Sequence, residues 1–202
     1  MNALPRMAVT IGLGLLFAAG VQAEDWKLVK DESGIQVYLK EVVGSQYKAY
    51  RGVATIAASM AKVRALQDDA GGACAWIHEC NQQKLLKHEG AESWTYTRFN
   101  TPWPVAPRDS VLHITSREEA DGSLTRVLQG VPEYLPEEDG FVRVSKVEGV
   151  WKLTPKGPGS VEVIYEVHSE PGGSVPSWLA NSFVVDAPFN TLEGLRQRAE
   201  KP

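Results

Sequence analysis

Cys74 and Cys80 are the only cysteines of the chain, and with His78 between them and His88 beyond they form its densest group of reactive side chains. Three chemistries are open to such a group: a local disulfide, a metal site on Cys74, His78, Cys80 and His88, or a thiol nucleophile beside an imidazole. A spacing of six with no Cys-x-x-Cys pair and no second cluster matches zinc poorly. The redox compartment separates the other two. Met1 to Arg6 carries one basic residue, Met7 to Gly20 carries no charge, and Val21-Gln22-Ala23 stands immediately before Glu24-Asp25. That layout predicts a signal peptide over residues 1–23, cleaved after Ala23, because its apolar run is shorter than the roughly 20 residues that span a bilayer. The expected destination is across the inner membrane, in the periplasm. In an oxidising compartment the simplest state of Cys74 and Cys80 is a disulfide, and a catalytic thiol would be at risk of oxidation. Closing so short a loop contributes about 2 kcal/mol in the chain-entropy model, enough to fix a turn but not to hold a fold.

The remaining reactive groups do not assemble into a familiar catalytic set. The chain has no Gly-x-Ser-x-Gly, no His-Glu-x-x-His and no phosphate-cradling glycine loop, and His78, His88, His113 and His168 follow no recognisable spacing. His113 with Asp109 is the first suspect for chemistry, but strand alternation turns His113 outward. No catalytic residue, metal ligand or cofactor is therefore expected. Loss of residues 1–23 removes only Arg6 among the charges, leaving 179 residues at net −5, a balance that makes nucleic acid an improbable partner. Residues 24–202 are of a size for one domain, large enough to bury a core and still enclose a cavity.

Polar candidates for binding are few. Arg108 and Asp109 follow Pro107 where a loop enters a strand, and buried charges there need partners, so they read first as a framework pair tying loop to sheet and second as ligand contacts. Arg98 and Arg143 stand on expected strands and reach either inward or to solvent. Asp186 and Asn190, one helical turn apart, are placed either to meet a head group or to face solvent.

The elements that must position these residues follow from periodicity. Segments 37–42 and 47–56, parted by Gly44-Ser45, predict a hairpin. Ser59 ahead of Met60, Val63 and Leu66 predicts a short capped helix that stops at Asp68-Asp69 and Gly71-Gly72. Strand-like stretches at 83–88, 93–99, 110–118, 123–130, 141–153 and 160–168, with turn residues between, predict an antiparallel meander. In it Leu112 and Ile114 share one face, and Val161, Val163, Tyr165 and Val167 share another dry one. From Pro176 the period changes: Leu179, Phe183, Asp186, Asn190 and Leu192 lie along a stripe of a long C-terminal helix to about Gln197, bent at Pro188. An α+β fold results, its curved antiparallel sheet burying its dry face around the last helix.

Four motifs carry a family resemblance. Pro102-Trp103-Pro104-Val105-Ala106-Pro107-Arg108-Asp109 resembles the proline-rich loop ending in Arg-Asp of the START (StAR-related lipid-transfer) family, and Trp76 stands where that family has Trp-Asp, with Ile77 replacing the Asp. Gly149-Val150-Trp151-Lys152-Leu153-Thr154-Pro155 and Pro171-Gly172-Gly173-Ser174-Val175-Pro176-Ser177-Trp178-Leu179 are similar to its Gly-x-Trp-x-Leu-x-Pro strand and its entry to the lid helix. The resemblance covers 24–200 and implies a helix-grip fold, a U-shaped incomplete barrel enclosing one lipid-sized apolar tunnel.

The resemblance also implies a function: one lipid or other hydrophobic molecule held in the tunnel and carried between membranes, by a chain acting as a monomer in transient membrane contact. Leu112, Ile114, Tyr165, Leu179 and Phe183 are then wall residues, Arg98, Arg108, Asp109, Arg143, Asp186 and Asn190 candidates for the head group, and Trp103 either an interfacial anchor or a plug over the core. Gly172-Gly173 is the expected lid hinge. Where some sterol-binding relatives carry a basic residue six positions after the motif Arg, this chain has Ile114. The alternatives are cyclase- or hydrolase-like chemistry in the same cavity, as in the wider superfamily, or an assembly module that holds no lipid.

Overall fold

The structure is a computed structural model that describes residues 26–101 and 103–201, so the expected leader at 1–23 lies outside the described residues. The chain opens with β1 (Lys27–Glu32), β2 (Ile35–Lys40) and β3 (Ala49–Ile56). β2 and β3 form the expected hairpin, pairing antiparallel from Ile35 opposite Ala54 to Lys40 opposite Ala49. β1 was not foreseen, because it is an edge strand with almost every side chain exposed and so has no alternation to read. Helix α1 (Met60–Asp68) starts as expected at Ser59, whose hydroxyl accepts the Lys62 N–H at 3.2 Å.

The meander follows as β4 (Cys80–Glu89), β5 (Glu92–Phe99), β6 (Arg108–Glu118) and β7 (Leu124–Gly130). The single strand expected over 141–153 is instead two: a two-residue β8 (Val142–Arg143) pairs parallel with β6, and β9 (Lys146–Pro155) continues the sheet. β10 (Val161–Glu170) lies between β9 and β3, giving the order β1-β2-β3-β10-β9-β7-β6-β5-β4. All pairs but β6 with β8 are antiparallel, and the outermost strands β1 and β4 do not pair, so the sheet curls without closing into a barrel.

The long final helix is corrected to two, α2 (Ser177–Phe183) and α3 (Asp186–Ala199). Pro188 sits at the third position of α3 and has no N–H to give to the carbonyl of Val184, so the expected bend becomes a break at Val184 and Val185, between α2 and α3. Helix α3 lies in the grip of the sheet, with Phe189, Leu192 and Leu195 buried beside Ile35, Val37, Val163 and Leu153. Two glycines allow the fit. A Cβ on Gly52 of β3 would stand 2.6 Å from Leu192 Cδ1, and one on Gly194 of α3 would stand 2.6 Å from the Trp76 carbonyl oxygen.

Trp76 belongs to the loop closed by the Cys74–Cys80 disulfide, Cα atoms 4.8 Å apart, and its ring meets Trp151 edge-on at 6.0 Å. Replacing both cysteines by Ser is expected to lower the unfolding free energy by about 2 kcal/mol. Urea unfolding checks this, and the slope of the transition should change little because a crosslink between residues six apart scarcely alters the surface exposed on unfolding.

Candidate functional site

Alternation along β6 decides which side chains meet the concave face. Arg108, Ser110 and Leu112 turn into a cavity of about 530 Å³, while Asp109 and His113 point to the convex side. β10 contributes Tyr165, Val167 and Ser169, β3 contributes Tyr50, and Leu128 and Val147 continue the apolar wall. The cover comes from α2 and the start of α3, through Ala180, Phe183, Val184 and Ala187, with Val105 from the proline-rich loop. Loop 42–48 holds this cover down: Tyr47 Oη donates to the Val175 carbonyl at 3.1 Å, and Asn181 Oδ1 accepts the Lys48 N–H at 3.0 Å.

Inside the wall two phenols face each other. Tyr50 Oη donates to Tyr165 Oη at 3.0 Å, and the Tyr165 ring stacks on Trp151 with centroids 3.8 Å apart. Burial raises both pKa values, that of Tyr50 well above its ordinary value with Tyr165 adding to the effect, so both phenols stay neutral. With Tyr50 as its donor, Tyr165 keeps its own O–H for an acceptor, and among the described residues it has none.

Arg108 is the buried cation of this wall, 6 % exposed. Its guanidinium donates only to carbonyls, of Ala106, of Pro171 at 3.4 Å and of Gly172 at 3.3 Å, and no carboxylate lies within ion-pairing distance among the described residues. Desolvation lowers its pKa. The side chain thereby ties the proline-rich loop to the turn that enters α2. Gly172 and Gly173 of that turn have φ of +67° and +61°, and a Cβ on Gly172 would stand 2.5 Å from the Arg143 carbonyl oxygen. Only glycine fits there.

Of the expected site residues, Arg108, Leu112, Tyr165, Phe183 and Asp186 line the cavity. The others are placed elsewhere. Asp109 and Arg108 are not a pair, since neighbours on a strand face opposite sides; Asp109 is fully buried on the convex side against Arg143, whose Nε and Nη2 each donate to it at 2.9 Å. Arg143 also donates to the carbonyls of Pro132, Leu135 and Pro136, and its pKa is raised, chiefly by its hydrogen bonds with Asp109. Arg98 stands directly across from Asp109 on the same convex face, bonded to Tyr96 and Glu138. Ile114 lies further along the concave face, outside this cavity. Leu179 is half-buried on α2 without lining the wall, and Asn190 contacts His78, Nδ2 to Nδ1 at 3.3 Å. Trp103 is 92 % exposed and plugs nothing.

Sequence reasoning missed Tyr47, Tyr50, Ser110 and Val147 on the wall. Ser110 was reachable: carrying the Leu112–Ile114 alternation back two residues gives Ser110 and then Arg108, and excludes Asp109.

A family model described as START domain matches residues 13–202. An uncharacterised protein of Pseudomonas aeruginosa is 56 % identical over 201 residues, covering all of both chains. The crystal structure of a STAR-related lipid transfer protein from Xanthomonas axonopodis is 39 % identical, with a TM-score of 0.82 over 87 % of this chain and 99 % of that one. A phosphatidylcholine transfer protein of Rattus norvegicus is 27 % identical over 165 residues, 78 % of this chain and 75 % of that one.

Proposed function

The chain belongs to the START domain family, and we propose that it binds one lipid or other hydrophobic molecule in the cavity beneath α2 and α3 and carries or presents it between the membranes of the cell envelope. The observation that carries this reading is the cavity itself, about 530 Å³ and walled largely by apolar side chains. It lies within the roughly 300–1,000 Å³ of small-molecule sites, and apolar surface transferred into it gains roughly 25 cal/mol per Å². Tyr165 offers one hydrogen bond to a ligand oxygen, and Arg108 a buried positive charge to its polar end. In this reading the protein works as a monomer in the periplasm after losing residues 1–23.

Exchange requires the cover to open against a membrane. Trp178 of α2 is 72 % exposed and Trp103 of the proline-rich loop 92 %, and each projects from a segment that borders the cavity. Amphipathic rings of this kind favour the bilayer interface, and with a net negative protein the contact is driven by these rings rather than by charge. Replacing Trp103 and Trp178 together by Ala is expected to slow transfer between vesicles about tenfold, equivalent to about 1.4 kcal/mol of interfacial binding, while the amount of lipid bound at equilibrium stays the same.

The test of the function itself is native mass spectrometry of the protein purified from its own host, with the bound mass identified after release. A stoichiometric lipid supports the carrier reading and names its class. A protein that arrives empty and takes up no lipid from vesicles sinks it.

A further inference from the structure

The concave face does not end at Leu112. Past it, between α1 and strands β4 to β7, lies a second pocket of about 630 Å³. The two pockets divide the same rows of side chains: on β6, Arg108, Ser110 and Leu112 face the first, and Ile114, Ser116 and Glu118 face the second. On β7, Leu128 lines the first and Leu124 and Arg126 line the second.

Their chemistry differs. In the second pocket Gln67 Nε2 and Oε1, Gln83 Oε1, Thr95 Oγ1 and Arg126 Nε are all buried and have no partner within the protein, and Thr95 is only 5 % exposed. Folded proteins pair nearly all such atoms, so these unpaired atoms of four side chains from α1, β4, β5 and β7, converging on one space, form a prepared set of donors and acceptors. Most of the charges around it are already engaged, Glu92 lying 3.4 Å from His113 Nε2. Arg126 Nη2 lies 2.6 Å from Asp68 Oδ1, and Arg64 is paired with Glu118. What remains to recognise a ligand is an amide, an amide carbonyl, a hydroxyl and one N–H, which suits a neutral group that both donates and accepts.

We propose that this pocket binds a neutral group rich in hydroxyls or amides, supplied either as the head of a lipid whose chain lies in the first cavity or as a free sugar-like molecule. The first source rests on the lipid-binding reading above and the second does not. Leu112 and Ile114 are two residues apart on one strand, about 7 Å, a separation shorter than an alkyl chain, so the two pockets are near enough to be served by one amphiphile.

The test follows the side-chain amide NMR signals of Gln67 and Gln83, and separately the Leu112 methyl signals, during addition of glucose, of octyl glucoside below its micellar concentration, and of octanoate. The expected result is that a glucose-bearing probe moves the two glutamine signals and octanoate does not. Response to glucose alone assigns the free molecule, and response to octyl glucoside only assigns the lipid head. Thr95→Val and Gln67→Leu should each weaken that binding about fivefold. Glutamine signals unmoved by either sugar probe, or moved equally by octanoate, overturn the proposal. If octanoate still moves Leu112 in that case, the lipid-binding reading stands without the second pocket; if nothing moves Leu112, that reading fails on its own.

Discussion

Asp109→Ala is expected to lower the unfolding free energy by about 3–5 kcal/mol, the usual result of removing one partner of a buried ion pair. Asp109 is fully buried and Arg143 is 7 % exposed, so without the carboxylate a guanidinium is left inside with only the carbonyls of Pro132, Leu135 and Pro136 as acceptors. Tyr96 loses an acceptor as well, since its hydroxyl lies 3.0 Å from Asp109 Oδ2. For a chain of this size the melting temperature should fall by about 6–20 °C, at about 2–4 °C per kcal/mol. The contrast is Arg51 with Glu166, a cross-strand pair between β3 and β10 with both side chains about a quarter exposed, 27 % and 25 %. Glu166→Gln should cost no more than about 1 kcal/mol because solvent screens that pair. A double variant, Asp109→Leu with Arg143→Met, should recover part of the loss, since no charge is then left buried, while the carbonyls of Pro132, Leu135 and Pro136 still lose their donor. Thermal unfolding of the three proteins checks the prediction, and Asp109→Ala at wild-type stability would show that the pair holds nothing together.

This ion pair also marks where sequence reading stops. The position of Asp109 in a strand, its burial and its need for a partner all follow from local pattern. The partner does not, because Arg143 stands 34 residues away on a two-residue strand that pairs parallel with β6 inside an otherwise antiparallel sheet. A two-residue strand has no periodicity, and the only signal available was that Arg143 falls on a segment rich in β-branched residues. Adjacency in sequence instead suggested Arg108, and the alternation of a strand forbids it.

The rest of the fold was legible to the extent that one face of each element is buried. The β2–β3 hairpin, the Ser59 cap and the strands β4 to β7 all have an alternating or capped pattern and were expected nearly in place. β1 has no buried face and was invisible. Pro188 was seen, but whether a proline bends or breaks a helix depends on what the flanking residues bury, and Phe183 before the break is 38 % exposed at the cavity while Phe189 after it is packed in the core. The second pocket lay beyond sequence reading altogether, because Gln67, Gln83, Thr95 and Arg126 come from four elements and none is unusual in its own segment.

Leu112→Trp is expected to reduce ligand uptake by at least about tenfold while leaving the fold intact. The choice of position carries the argument. Leu128 and Val167 also line the cavity but are 6 % exposed, most of their surface already packed in the core, and a larger side chain there costs about 1–3 kcal/mol of overpacking. Leu112 is only half-buried because it faces the open cavity, which leaves room on that side for an indole. The ring therefore grows into the space that the ligand needs rather than into the core, and the apolar wall it covers is no longer available for the roughly 25 cal/mol per Å² that ligand burial returns. Leu112→Ala is the matched control: it widens the same space, and uptake should persist. Bound lipid per protein, measured after incubation with vesicles, separates the two variants once circular dichroism has established that both are folded. A full equivalent of lipid in Leu112→Trp would place the ligand somewhere other than beneath α2 and α3.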